Sequence, residues 1–100
     1  MGKNEMMKSS QLETIRHLME ITQPQTSEDW EKVKHPFSHM DGNYVTENWY
    51  LFYCLTRLID PKVVVPDKEL SVERWIGYTM GCLTCKGYDV EMIQRIGERG

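Results

Sequence analysis

Three scarcities in this 100-residue sequence each exclude a class of protein. No apolar run approaches the ~20 residues needed to cross a bilayer. The first ten residues, Met1 to Ser10, are polar and lack the apolar stretch of a secretory signal. There is no basic excess: 12 Lys and Arg stand against 15 Asp and Glu, a formal charge of −3. Proteins that grip nucleic acid non-specifically carry the opposite balance, whereas a DNA mimic needs a far denser acidic field. Cysteine is scarce and odd in number, at three. Without a secretory signal this argues against a disulfide framework and predicts reduced thiols in a cytoplasmic setting.

What is present is ordinary in amount and unusual in kind. Hydrophobic residues make up 40% and charged residues 27%, a globular balance too apolar for a disordered chain. Seven Met and ten aromatic residues are a rich supply for one small domain. Two uses compete for them: filling the core, the usual fate of large apolar side chains, and anchoring a partner, for which Met, Trp and Tyr are suited.

The apolar pattern predicts a mainly α fold: a small bundle of about five helices in a single domain over residues 1–100, with 1–9 a flexible N-terminus. Ser10-Gln11-Leu12-Glu13 reads as a capping box. Leu12, Ile15, Leu18, Met19 and Thr22 follow on one helical face until Pro24. A second helix is expected from Thr26 or Ser27, led by Glu28 and Asp29, carrying Trp30 and Val33, and stopping before Pro36. A loop over 35–43 ends in the turn signal Asp41-Gly42-Asn43. The third helix, capped by Thr46, is apolar nearly all round from Trp49 to Leu55 and runs through Leu58 and Ile59, which predicts a central, enclosed position. Asp60-Pro61 ends it. Three consecutive Val between Pro61 and Pro66 predict an extended connector. A staple of Leu70 and Trp75 around Ser71 predicts the start of the fourth helix. Its stripe is Val72, Trp75, Ile76, Thr79 and Leu83, with Lys86 and Gly87 at its end. Asp89 is expected to cap a fifth helix carrying Val90, Ile93 and Ile96.

Constellations with chemical potential are few. Cys82 and Cys85 form a C-x-x-C pair, and His35 and His39 are spaced H-x-x-x-H; both spacings occur in zinc sites. With no second C-x-x-C, small cysteines packing inside a helix are the simpler reading. His17, His35 and His39 have no nucleophile or acid at a known catalytic spacing. Gly77 and Gly81 sit inside a helical pattern, outside any phosphate loop, where they suit close helix packing. The segment from Leu83 to Ile96 approaches a helix-turn-helix. Its second helix, however, offers Arg95 beside Glu91, too few cations and amides for a recognition helix. No catalytic residue, cofactor or metal is therefore expected.

The stretches Gln11-Leu12-Glu13-Thr14-Ile15-Arg16-His17-Leu18-Met19-Glu20 and Asn43-Tyr44-Val45-Thr46-Glu47-Asn48-Trp49-Tyr50-Leu51-Phe52-Tyr53 resemble the anti-RecBCD proteins of lambda-like temperate phages, the second-member type of the Abc pair. The likeness extends over nearly the whole chain. It implies a non-enzymatic protein of the bacterial host cytoplasm that binds the host RecBCD helicase-nuclease, chiefly through RecC. Such proteins alter nuclease activity and the response to Chi, protect phage DNA ends and promote recombination. The resemblance also implies recruitment of a host peptidyl-prolyl isomerase, for which Val65-Pro66 is the leading contact here and Pro61 the second. The same prolines also read as plain helix terminators in a linker. Trp30 and Phe37 complete the candidate partner-binding residues, because Trp49 and Trp75 fall on core-facing stripes. The alternative function is a small helix-turn-helix DNA-binding regulator built on residues 83–96; a zinc-dependent module stands third.

Overall fold

The structure, a computed structural model, describes residues 9–89. Local chemistry sets each helix, and the most complete start belongs to α2, Ser27–Lys34. The Thr26 hydroxyl accepts the backbone N–H of Asp29 at 3.1 Å, and Glu28 and Asp29 lie at the positive end of the helix. The first helix, α1, is described over Ser9–Thr22, so Ser10 lies within the helix and is not its cap. The Ser10 carbonyl instead accepts the Thr14 hydroxyl at 2.8 Å. Ile15, Leu18 and Thr22 form the buried face of α1, and buried Pro24 follows its end.

The loop over 35–43 contains a 3-10 turn at Pro36–Ser38, and its glycine, Gly42, holds φ +63, a conformation with little steric cost only for glycine. A second 3-10 turn, Tyr44–Thr46, takes up Thr46; α3, Asn48–Ile59, is therefore preceded by Glu47 at the cap position. The Glu47 carboxylate accepts the Trp49 indole N–H at 3.2 Å. As the all-round apolar pattern predicts, α3 is central: it packs against α1, α2, α4 and the second 3-10 turn.

The connector opens with a turn. The Asp60 carboxylate accepts the N–H of Lys62 at 2.9 Å and its carbonyl accepts Val63 N–H at 3.1 Å. Only Val64 and Val65 lie between this turn and a second one at Pro66–Asp67, so the extended part of the expected connector is confined to these two residues. A carboxylate able to close an Asx turn outweighs the β preference of the valines.

The fourth helix, α4, spans Lys68–Cys85 and starts three residues before the expected cap. Asp67, at φ +49, turns the chain straight into the helix after Pro66. Ser71 donates its backbone N–H to the Asp67 carbonyl at 2.9 Å and its hydroxyl to the Pro66 carbonyl at 3.2 Å. Leu70 is exposed inside α4 and makes no staple. The opposite end follows expectation. Gly87, at φ +94, lets its own N–H reach the Thr84 carbonyl and that of Tyr88 reach the Leu83 carbonyl, both at 3.0 Å. The expected fifth helix falls largely on residues 90–100, and the expected N-terminal stretch largely on 1–8; both lie outside the described residues, within which the bundle has four α-helices.

The main core cluster is aliphatic: Ile15 and Leu18 from α1, Leu55 and Leu58 from α3, Val72 and Leu83 from α4, while Leu51 and the Trp49 ring of α3 are buried as well. Removing each from water contributes about 1.5–3 kcal/mol. Met19, Ile59, Val65, Trp75, Ile76 and Met80 close over it. Two threonine side chains are sealed completely: the Thr22 hydroxyl donates to the Leu18 carbonyl at 2.8 Å, whereas the Thr79 hydroxyl on α4 has no hydrogen-bond partner among the described residues.

Candidate functional site

The sequence-predicted partner residues fall on two separate surfaces. Val65, Pro66 and Pro61 lie in the connector, beyond the end of α3. Pro61 and Pro66 are exposed, Val64 is 86% exposed, and Val65 turns inward against the core. Every described peptide bond is trans, the Val65–Pro66 bond included. Trp30 and Phe37 lie instead on and just after α2. Trp30 is 37% exposed and sets its ring edge against Phe52 at 5.5 Å; Phe37 projects from its 3-10 turn at 80% exposure. His39, two residues on, meets the Trp49 ring at the beginning of α3. The two surfaces thus sit toward opposite ends of a helix about 18 Å long.

Sequence reading missed a third surface, the seam where α3 meets α4. Tyr44, Trp49 and Tyr50 form a linked set of rings, and Tyr50 reaches Trp75 across the seam at 6.2 Å between centroids. Trp75 in turn meets Tyr78 edge-on at 5.4 Å. Trp75, expected in the core, is only partly buried because its ring lies over this seam. Tyr78 is 40% exposed and donates its hydroxyl to the Val45 carbonyl at 2.7 Å. The ring-bearing residues at 50, 53, 75 and 78 have i, i+3 spacing within each helix, which was the available signal.

Burial sets the electrostatics of the seam. The Tyr50 phenol is pushed up to about 12, first by burial and then by its hydrogen bond with Cys54. Burial also raises the Cys54 thiol, against the opposing effects of Tyr50 and the Arg57 cation. Burial and a bond to Cys82 raise the Tyr78 phenol. These shifts favour neutral side chains and do not activate a nucleophile; a reactive cysteine needs the reverse. Arg57 lies over the Tyr53 ring at 5.7 Å. Lys86 leaves the end of α4 to donate to the Thr46 carbonyl and, at 2.6 Å, to the Asn48 side-chain oxygen.

The residues weighed as zinc ligands have other neighbours. His35 faces Glu31 at 3.3 Å, His39 packs on Trp49, Cys82 is half-buried by Tyr78, and Cys85 is exposed. Among the described residues no three His, Cys, Asp or Glu side chains group to hold a metal ion. Of the helix-turn-helix reading, Leu83 and Gly87 are described and the remainder lies outside. No described helix is long and apolar enough to cross a membrane. Comparison with known protein families, curated proteins and solved structures finds no match for this chain.

Proposed function

We propose that this chain is a phage-type modulator that docks on the host RecBCD helicase-nuclease through RecC. It changes nuclease activity and the response to Chi, protects phage DNA ends and promotes recombination. The connector presents Val65-Pro66 to a host peptidyl-prolyl isomerase. The likeness of the α1 and α3 sequences to anti-RecBCD proteins motivates the partner. The observation that carries the reading is the connector: Pro61, Val64 and Pro66 are open to solvent, while Val65, packed partly buried against the core, and the Ser71–Pro66 hydrogen bond hold the segment in place. An exposed segment already fixed in shape loses less freedom on binding than a loose one.

The test uses purified RecBCD and linear duplex DNA with and without Chi. Expected is co-elution of the chain with RecBCD and altered degradation on both substrates. Pro66→Ala is expected to keep the fold, since Pro66 is exposed, and to lose isomerase recruitment at least tenfold. A chain that neither co-elutes with RecBCD nor changes its nuclease activity removes this reading.

A further inference from the structure

Two hollows run end to end along one side of α4 and meet at Tyr78. The first, about 280 Å³, lies between Val45, Tyr50, Arg74, Trp75 and Tyr78. The second, about 500 Å³, lies over Gly77, Gly81 and Cys85, with Lys86 at its far end. From Arg74 to Lys86 is twelve residues, or about 18 Å of helix. The walls are apolar rings and Val45, itself 40% exposed. Along the floor, a Cβ added at Gly77 or Gly81 would meet no atom within 4 Å.

Each end of this groove carries a positive charge that no described carboxylate neutralises. Arg74 takes part in none of the described ion pairs, which join His17 to Glu20, Lys32 to Asp29 and His35 to Glu31. Lys86 is held by two neutral oxygens, the Thr46 carbonyl and the Asn48 amide, and takes part in none of the described ion pairs. The complement is apolar in the middle and acidic at both ends. It is also helical. An added strand needs a row of free backbone N–H and C=O groups, and those along α4 are consumed by the helix itself, whereas a helical guest brings its own hydrogen bonds satisfied.

Charge disfavours the nearer occupants. Two copies of α4 laid antiparallel bring Arg74 against Lys86, and laid parallel bring Arg74 against Arg74; both are repulsive. The chain beyond Asp89 carries Glu91 and Glu98 but also Arg95 and Arg99, with no acidic excess. We propose that the groove along α4 from Arg74 to Lys86 receives an amphipathic helix of a partner protein, apolar on its docking face and acidic at both ends. This rests on the chain being a protein-binding module and is independent of which partner it binds.

The probe is a stapled fourteen-residue helical peptide with leucines at i, i+3 and i+7 and paired glutamates at both ends. Its twin carries lysines in place of the glutamates. Titration into the isotope-labelled full-length chain is expected to shift the amide signals of Gly77, Tyr78 and Gly81 and the Trp75 indole. The lysine twin binds at least tenfold more weakly. Gly81→Leu fills the floor while improving helix propensity, so the fold is retained and binding falls at least tenfold. The double variant Arg74→Glu, Lys86→Glu reverses the preference between the peptides. Equal binding of the two peptides, or shifts that map to another surface, overturns the proposal. So do a dimer in sedimentation that protects the groove, or contacts from residues 90–96 to Gly77 and Gly81 in the free chain. Peptide binding without capture of RecBCD supports the groove and removes the partner; capture of RecBCD without peptide binding removes the groove alone.

Discussion

The inner and outer sides of α3 and α4 use different chemistry. Inward, Leu55, Leu58, Val72 and Leu83 meet Ile15 and Leu18 of α1, and no aromatic ring belongs to that cluster; the buried ring of α3, Trp49, packs beside Tyr44 and Tyr50 instead. Outward, Tyr44, Tyr50, Trp75 and Tyr78 line a seam that stays partly open to solvent. Branched aliphatics fill a small interior at crystal-like density. Tyr and Trp present wide, stiff surfaces with a polar edge, which suits a boundary with water or a partner. Composition alone did not separate these uses; position does.

The sharpest way to break the contrast is to remove one side chain from each side. Leu55→Ala is expected to lower unfolding free energy by about 3–4 kcal/mol, the range for a fully buried leucine that leaves a cavity. Tyr78→Phe, which removes the hydroxyl and with it the bonds to the Val45 carbonyl and to Cys82, is expected to cost about 1 kcal/mol. Urea unfolding measures both; equal losses would erase the division between core and seam. Thr79 offers a change of the opposite sign. Because its buried hydroxyl has no partner, Thr79→Val is expected to stabilise the fold by about 1 kcal/mol, and a destabilised variant would mean that the hydroxyl has a hidden partner.

The smallest effect is one of pH. The Tyr50 phenol keeps its proton to about 12, against an ordinary value of 10.0. A proton held more tightly in the fold than in the unfolded chain stabilises the fold fully below the ordinary value, and that contribution disappears as pH rises from 10 toward 12. Tyrosinate absorbance is expected to show a late step near pH 12 that Tyr50→Phe removes. If no such step exists, the seam is wetter than its burial implies.

Features decided within a few residues were legible in the sequence. Thr26 before Glu28 and Asp29, Gly87 after Lys86, and the ring of apolar residues in α3 each specify their element through nearby backbone groups. The failures have local patterns too, overridden by neighbours. Leu70, Ser71 and Trp75 have staple spacing, but the turn at Pro66–Asp67 lets α4 start earlier, and Trp75 is drawn to Tyr50, a residue 25 positions away. The valines of the connector yield to the Asp60 side chain. Of the candidate surfaces, exposed Pro61, Pro66, Trp30 and Phe37 could be inferred from proline punctuation and apolar excess, whereas Val65 turns inward. For the seam, the sequence shows the ring spacing within each helix but not the pairing of the two helices that brings the rings together.

The connector also divides the aliphatic cluster by sequence. Ile15, Leu18, Leu55 and Leu58 precede it; Val72 and Leu83 follow it. A single nick after exposed Lys62 would leave one fragment bearing three of the described α-helices and another bearing α4, each with part of a shared interior and neither able to shield it alone. The backbone between them serves mainly to keep the halves at high effective concentration, so the molecule is, in its packing, two complementary pieces joined by a tether.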